Sequence, residues 1–594
     1  MTMNEFINYL NSTNNVGGNS TGSLAESQVK SKYYDSVKVD RKLGTYITNC
    51  VVAGDHKAFI LTGHAGDGKT SILVQVLKTL GYLQNGAGLS IEEEFDNFLY
   101  VKDMSEIAAE CQVEALKKAL HAPCDGKTSL LISNTGPLLK TFEALAKEQI
   151  EVTGETFTEK DRLALQSTLL TQLDTNSDGV ITVAGYSFVL VNIARVDNVP
   201  FAVKILKNIL NPNLWSPCVG CTCADRCPIK SNCDIVTAQF DRVAAFIENY
   251  YRYLYENDKR MTIRQMVGQI SYALTGNLTC QDISSHHLRE PFFIYNFANL
   301  FFGFAGLKVA KDATQIKGIG QIRNLELDRI ALDVDYQLFV SQDYSCFAPR
   351  ISGELQSLST KYRKHYQITD EDQLLDEKKQ EKELQLRRAV RRFYLMFSLS
   401  ENDDDINNVM NQVFGTLYSD YHALISSKQS KHVLNQMRST IFDALYIKNT
   451  GILPNGKTEL PLTLRREDDV FQNVMIVLGE VNRSDLSVIQ TKVSNNFEDV
   501  DNKHELYLRM DGKDFRLTLP MINYFNNLIH GAIASNNNPA LSHGIAQLDA
   551  LLLEQYGECK PECEEDCELT VIINTTRGQE IERFAFDGNR LSIS

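Results

Sequence analysis

The sequence predicts an α/β protein whose N-terminal part is built on a parallel β-sheet. Short apolar runs alternate with segments of helical spacing, and a glycine-rich turn separates the first run from the helix after it. Such continuous apolar runs are typical of parallel strands, because helices cover both faces of a parallel sheet. The predicted strands lie at residues 58–62, 98–102, 129–133 and 188–192.

Helical patterns follow these strands and dominate the middle of the chain. Helices are expected at 71–80, 105–120 and 138–149, then from 239 to about 303, with a highly charged helix at 371–392. Alternation of apolar and polar residues returns after residue 454 and indicates a C-terminal region rich in β-structure. The strand candidates there are 457–464, 474–478, 505–508, 515–519 and 569–573.

These changes of pattern divide the 594 residues into five predicted regions. A length of about 150 residues per domain agrees with a chain of several domains. The regions are a flexible N-terminal arm (1–35), a core with the parallel sheet (36–238) that contains a Cys-rich segment (215–235), a helical lid subdomain (239–365), a helical bridging region (366–450) and a C-terminal β-rich domain (451–594).

Composition excludes several classes of protein. With 43% hydrophobic and 23% charged residues, the chain is neither disordered nor fibrous. A net charge of −15 argues against a protein that clamps bare nucleic acid by itself, although a local basic patch or a basic partner stays open. The N-terminus has no apolar run typical of a secretory signal. Residues 292–306 fall short of the ~20 apolar residues of a membrane span, and we expect them to form a buried helix. We therefore expect a cytoplasmic protein with reduced thiols and no membrane association.

The glycine-rich turn matches the pattern G-x-x-x-x-G-K-[ST] at every fixed position. Glycines let successive main-chain N–H groups surround the α- and β-phosphates, while the lysine reaches the β- and γ-phosphates and the Thr hydroxyl completes a Mg²⁺ shell. An apolar strand before the turn and an amphipathic helix after it make a chance match improbable. The sequence therefore predicts a P-loop that binds ATP and Mg²⁺ through Gly63, His64, Ala65, Gly66, Asp67, Gly68, Lys69, Thr70 and Ser71.

Hydrolysis needs a carboxylate near Mg²⁺ and a group that orients the attacking water. Asp103 ends the second predicted strand and is the candidate for Mg²⁺, with a helix-capping role as the alternative. Asn134 and Thr135 follow the third strand, where an acidic pair is common, and Asn192 ends the fourth strand, where a γ-phosphate sensor is expected. With the acidic pair replaced, the chain either hydrolyses ATP slowly or only binds it. Arg264 and Arg323 are candidates for arginine fingers acting on a second chain.

Five cysteines lie within the short segment 218–233. In a reduced compartment such density favours a metal site, because buried structural cysteines are usually scattered singly. Four thiolates suit a tetrahedral structural Zn²⁺, and an iron–sulfur cluster is the alternative. The predicted zinc ligands are Cys218, Cys221, Cys227 and Cys233, with Cys223 able to replace any of them. A second group of thiols, Cys559, Cys563 and Cys567, has acidic neighbours and one thiol too few for a zinc site, so metal binding is not favoured there.

Three of these features together resemble one protein family. The P-loop, the strand end Lys102–Glu106 and the cysteine segment after Asn211–Trp215 look like the DptF-like ATPases of bacterial DNA-phosphorothioation-dependent restriction, or a sister anti-phage family. The resemblance spans about residues 40–550. It implies an AAA+-like P-loop ATPase core that acts with other subunits to detect or destroy foreign DNA and that binds ATP through Gly63–Thr70. In that family a glutamate is expected after the asparagine, where this chain has Thr135.

The resemblance also implies a function. We expect an ATP-binding and ATP-hydrolysing subunit of a defence complex, whose nucleotide state controls assembly with partner subunits. A nuclease or helicase is the expected partner, DNA is expected to be reached through the complex, and homo-oligomers are open. The alternative is a non-hydrolysing ATP-bound scaffold that recruits a separate effector nuclease.

Overall fold

The computed structural model describes residues 3–14, 30–84, 86–152, 154, 156–286, 288–368, 376–399, 402–464, 473–500, 502–532, 538–557, 567–576, 578–587 and 590–593. Two compact units make up the chain. The first comprises Met1–Phe414 and Ser494–Asp501, and the second comprises Gly415–Val493 and Asn502–Ser594. The predicted bridging region 366–450 is thus divided between the two units.

A mixed, mostly parallel sheet of six strands forms the N-terminal part of the first unit, as the apolar runs predict. The strand order is β2-β3-β4-β1-β6-β5; the neighbours β3, β4, β1 and β6 are parallel, whereas the edge strands β2 and β5 run antiparallel to theirs. The strands are β1 (Ala58–Thr62), β2 (Glu92–Glu94), β3 (Phe98–Val101), β4 (Thr128–Ile132), β5 (Ile181–Val183) and β6 (Tyr186–Asn192).

Helices cover both faces of this sheet. All five residues of β1 are buried, and its side chains alternate between two apolar clusters: Phe59 and Leu61 belong to one, and Ala58 and Ile60 to the other. This burial on both faces is why the strand is continuously apolar. The helices up to β6 are α1 (Glu5–Asn14), α2 (Tyr34–Val37), α3 (Lys42–Ala53), α4 (Lys69–Thr79), α5 (Gln112–His121), α6 (Thr135–Val152) and α7 (Glu159–Thr175).

In the described residues of the middle of the chain, helices dominate, as predicted, and the strands present form one short hairpin, β7 (Phe304–Ala305) and β8 (Lys308–Val309). The apolar stretch 292–306, expected to be one buried helix, forms two short helices and β7. The helices are α8 (Pro200–Ile209), α9 (Pro212–Trp215), α10 (Pro228–Ala238), α11 (Phe240–Glu256), α12 (Ile263–Thr275), α13 (Cys280–Ser285), α14 (Pro291–Ile294), α15 (Phe297–Phe301), α16 (Lys317–Leu325), α17 (Asp335–Phe339), α18 (Pro349–Tyr366), α19 (Glu377–Phe397) and α20 (Asp403–Phe414).

The second unit is rich in antiparallel β-structure, which confirms the prediction for the C-terminal region. One sheet has the order β16-β15-β14-β10-β9 and the other has β11-β12-β13. The elements are α21 (Thr416–Ser426), α22 (Lys431–Thr450), β9 (Glu459–Leu464), β10 (Val474–Asn482), β11 (Leu486–Lys492), β12 (His504–Met510), β13 (Lys513–Leu517), α23 (Leu519–Ile529), α24 (Pro539–Tyr556), β14 (Cys567–Thr575), β15 (Gly578–Asp587) and β16 (Arg590–Ile593).

None of the helices in the described ranges combines the length and the apolar character needed to cross a membrane. The longest described helix, α19, instead carries the mixed charged and apolar sequence that the pattern at 371–392 indicated. Its first predicted residues lie outside the described part of the chain.

Candidate functional site

The glycine-rich turn joins the end of β1 to the start of α4, at the carboxyl edge of the parallel strands. Gly66 has a φ of +89°, and a Cβ placed there would lie 3.1 Å from Thr262 Oγ1 and 3.3 Å from Arg264 Cβ. Gly68 has a φ of +90° and precedes the first helical residue. Glycine is therefore required here both by the left-handed backbone and by the close approach of α12.

Lys69 is the first residue of α4, and its side chain turns back over the loop. Its ammonium donates hydrogen bonds to Gly63 O at 2.7 Å, His64 O at 3.1 Å and Asn134 Oδ1 at 3.3 Å. Burial lowers the pKa of Lys69, and the charges of Asp67 and Asp103 partly oppose this. The Lys69 ammonium is thus held in the loop by two main-chain carbonyl oxygens and one side-chain amide oxygen.

The buried side chain of Asp67 stabilises the conformation of the loop. Its side chain is fully buried, accepts the main-chain N–H of His64 at 2.9 Å and forms an ion pair with Arg260 at 2.6 Å. Arg260 also donates to Ile193 O at 3.1 Å, and Arg41 donates to Asp67 O at 3.3 Å. Sequence reasoning missed both arginines, because each lies far from the motif in the chain and neither carries a local pattern.

Asp103 follows β3 and fulfils the capping alternative. Its Oδ1 accepts the main-chain N–H of Ser105 at 2.9 Å and the Ser105 hydroxyl at 2.7 Å, which caps the 3₁₀ turn Met104–Glu106. Its charge also acts on Lys69 and favours the protonated ammonium. Asp103 therefore caps the turn, and its negative charge also acts on the Lys69 ammonium. The capping role is compatible with the predicted role of Asp103 near Mg²⁺.

The two candidate asparagines lie on opposite sides of β1. Asn134 follows β4 and contacts Lys69 as described, while Asn192 ends β6 and pairs in register with Thr62. The Asn192 side chain donates to Leu173 O at 3.1 Å and accepts from Ala194 N at 3.1 Å. It thus holds local backbone, and a contact of Asn192 with nucleotide stays a prediction.

A mostly apolar cavity adjoins the loop at Gly68 and Ser71. Its walls come from α2, α8 and the start of α12. Polar groups also reach it, since Arg41 lies over the Phe201 ring at 4.7 Å and donates its main-chain N–H to Gln75. The lining residues are Tyr9, Tyr34, Val37, Lys38, Val39, Asp40, Arg41, Gly68, Ser71, Gln75, Phe201, Ile205, Ile263 and Val267.

Arg264 stands against the loop of its own chain. Its main-chain N–H approaches Gly66 O at 3.4 Å, and burial lowers the pKa of its guanidinium. Thr262 positions it by capping α12 in a reciprocal pair of hydrogen bonds with Gln265. Action of Arg264 on a second chain stays a prediction. Arg323 lies over the Phe304 ring at 6.0 Å.

The cysteine segment forms a second cluster in the first unit. Cys218, Cys221, Cys223 and Cys227 line one small cavity together with Cys280 of α13, which sequence reasoning did not connect with them. Cys233 is buried in α10 and does not belong to the residues lining that cavity; burial raises its pKa to about 12.

No set of three or more His, Cys, Asp or Glu side chains in the described ranges is already arranged to hold a metal ion. Of the second thiol group, Cys559 and Cys563 lie outside the described residues, and Cys567 begins β14.

Comparisons with protein-family models, with curated proteins and with solved structures found no match for this chain.

Proposed function

We propose that this chain is an AAA+-like nucleoside triphosphatase that binds ATP and Mg²⁺ at residues 63–71. The observation that carries the proposal is the position of Asn134, whose Oδ1 lies 3.3 Å from the ammonium of Lys69. In a P-loop that ammonium reaches the β- and γ-phosphates. A group that touches it therefore stands where the γ-phosphate would lie.

The order of the strands supports different roles for Asp103 and Asn134. β4 lies between β1 and β3, so Asn134 at the end of β4 stands between the loop and Asp103. We assign the Mg²⁺ shell to Thr70 and Asp103, and contact with the γ-phosphate or the attacking water to Asn134. This assignment keeps Asp103 as the candidate for Mg²⁺, on the strand next to the position of Asn134 and Thr135, where an acidic pair is more common. Catalysis would then depend on positioning and charge stabilisation.

The cavity beside Gly68 and Ser71 supports a nucleoside as the remainder of the ligand. Tyr34, Phe201 and Ile263 contribute apolar surface directly next to the phosphate loop. Ligand pockets combine such apolar walls with a few polar groups that fix orientation. A base and ribose in this cavity would place the triphosphate along the loop, and the half-buried guanidinium of Arg264 would complement its charge.

The biological setting in the proposal rests on the resemblance to DptF-like ATPases. We propose a cytoplasmic subunit of an anti-phage restriction complex, in which nucleotide state controls assembly with partner subunits that include a nuclease or helicase. Contact with DNA would be made through the complex, because the net charge of −15 disfavours binding of bare DNA by this chain alone.

A second candidate is a scaffold that binds ATP without hydrolysing it. The residue after Asp103 is the fully buried Met104, and Glu106 forms an ion pair with Lys102 at 2.8 Å. Neither side chain is placed to activate a water molecule. A protein of this kind would use ATP only to hold the conformation that recruits an effector.

Binding and turnover measurements distinguish these proposals. Binding of ATP in the presence of Mg²⁺ is measured by calorimetry, and phosphate release is measured with and without DNA, for the wild type and for Lys69→Ala, Asp103→Ala and Asn134→Ala. Lys140→Ala is the control, because Lys140 is an exposed lysine of the neighbouring helix α6. Nucleotide binding is refuted if the wild type and Lys69→Ala both lack affinity. Tight binding without phosphate release in any condition supports the scaffold.

A further inference from the structure

The small cavity of the cysteine segment is surrounded mainly by thiols. Four of them come from residues 218–227, and the fifth, Cys280, is the first residue of α13. Ile7, Ala224 and Ile283 supply apolar walls. The tertiary fold therefore brings Cys280 to the cavity that the four segment thiols line. Structural cysteines are usually scattered singly, so five thiols around one cavity favour a metal site.

Hydrogen-bond donors are directed at three of these sulfurs, and the donor to Cys223 Sγ is the side chain of Arg226 at 3.5 Å. The side-chain amide of Asn4 donates to Cys218 Sγ at 3.4 Å, and the main-chain N–H of Lys230 donates to Cys227 Sγ at 3.4 Å. Donors that orient the ligand atoms and stabilise their charge are typical around metal-bound ligands. The Lys230 ammonium is paired with Asp234, so its positive charge is already balanced.

We propose that Cys280 and three of the four segment thiols Cys218, Cys221, Cys223 and Cys227 bind one structural Zn²⁺, and that Cys233 is not a ligand. Four thiolates form the tetrahedral set that closed zinc sites use. Cys280 lines the thiol cavity together with the four segment thiols, whereas Cys233 does not. The proposal is independent of nucleotide binding.

Metal binding on this assignment requires the thiols to reorient, because no three ligating side chains of the described residues are arranged around one point. Rotation about a single side-chain bond moves a cysteine sulfur while its main chain stays in place. On binding, four S–H groups lose their protons to solvent and four Zn–S bonds form, with no change of oxidation state.

The site would join three parts of the first unit. Asn4 directly precedes α1 and Ile7 lies within it, Cys218–Cys227 belong to the segment before α10, and Cys280 belongs to α13. A zinc ion held by thiolates from the segment and from α13 would fasten the segment to the helical region. Such a link stabilises a segment that has too few apolar residues for a core of its own.

The test uses the full chain expressed with zinc and measures bound metal by mass spectrometry. We expect one zinc per wild-type chain and per Cys233→Ser chain. Cys280→Ser is expected to retain a fraction of one equivalent and to lose zinc to a competing chelator at least tenfold faster. In the cobalt-substituted protein, the thiolate-to-cobalt absorption band is expected to weaken in Cys280→Ser and to stay unchanged in Cys233→Ser. Retention of zinc by Cys280→Ser together with loss by Cys233→Ser would overturn the assignment.

A second measurement does not depend on whether the variants fold. Cysteines of the native wild type are alkylated before and after removal of zinc by a chelator, and the modified sites are mapped. Zinc is expected to protect Cys280 as strongly as three of the four segment thiols, whereas the exposed Cys111 and Cys124 react equally in both states. Unchanged reactivity of Cys280 after zinc removal would contradict the proposal. Iron and sulfide in place of zinc, or no bound metal at all, would also refute it.

Discussion

The phosphate loop and the cysteine segment are both short runs that stand out in the sequence, but the structure completes them differently. Many contacts of the phosphate loop are local in sequence. The Lys69 ammonium, for example, donates to the carbonyls of Gly63 and His64, a few residues away. The thiol cavity takes one of its cysteines from α13. Main-chain groups of a tight turn are close because the chain connects them, whereas side chains from separate elements meet only after folding. The loop also has contacts with distant residues, and its buried ion pair between Asp67 and Arg260 makes the contrast testable.

The largest loss of stability is expected from removing the ion pair between Asp67 and Arg260. Asp67→Ala leaves the guanidinium of Arg260 without its buried carboxylate, and removal of one partner of a buried ion pair costs about 3–5 kcal/mol. We expect chemical denaturation to show a loss of this order in the first unit. The double variant Asp67→Ala/Arg260→Met is expected to recover part of it. An unchanged unfolding free energy for Asp67→Ala would mean that the loop is held by local contacts alone.

Zinc removal is expected to have the next largest effect. A chelator should lower the unfolding temperature of the wild type by several degrees, since a ligand that binds only the folded state stabilises it. The same treatment should change Cys280→Ser much less, because its site is already incomplete. Calorimetry in the presence and absence of the chelator measures both. Equal shifts for the two proteins would argue against Cys280 as a ligand.

Turnover is expected to separate the two asparagines that flank β1. Asn134→Ala should reduce phosphate release about two- to tenfold with ATP affinity nearly unchanged, since loss of one hydrogen bond in the transition state costs about 0.5–1.5 kcal/mol. Asn192→Ala should mainly lower the unfolding temperature, because its side chain holds Leu173 and Ala194. Steady-state kinetics with thermal unfolding of both variants tests this. The reverse pattern would make Asn192 the γ-phosphate sensor.

The smallest effect is expected from an ion pair between close neighbours in sequence. Asp514 and Arg509 face each other across β12 and β13 at 2.7 and 2.8 Å, and the Arg509 hydrogen bonds lower the pKa of Asp514. The pair is solvent-exposed, so its contribution is small. It is present above the unfolded pKa of 3.8 and is lost as pH falls through the lower folded value. In Asp514→Asn, the free energy of unfolding should therefore fall slightly less with decreasing pH than in the wild type. Chemical denaturation between about pH 2 and 6 measures this difference. A loss as large as that of Asp67→Ala would contradict the comparison.

Much of the fold could be predicted, and the exceptions have physical reasons. The strands β1, β3, β4 and β6 were predicted because burial on both faces makes them continuously apolar. The edge strand β2 was missed because its sequence is Glu92–Glu94, which carries no apolar pattern. The segment Ser494–Asp501 gives no sign that it belongs to the first unit, where Asp499 lies 3.6 Å from Arg41.

The sequence by itself determined the α/β class, the phosphate loop and the concentration of thiols, because each depends on residues that are adjacent in the chain or repeat with a fixed period. Only the tertiary structure decided that β4 separates β1 from β3, that Arg260 supports Asp67 and that Cys280 faces the cysteine segment. Strand order and long-range side-chain contacts are set by the packing of whole elements, and no local pattern of residues encodes them.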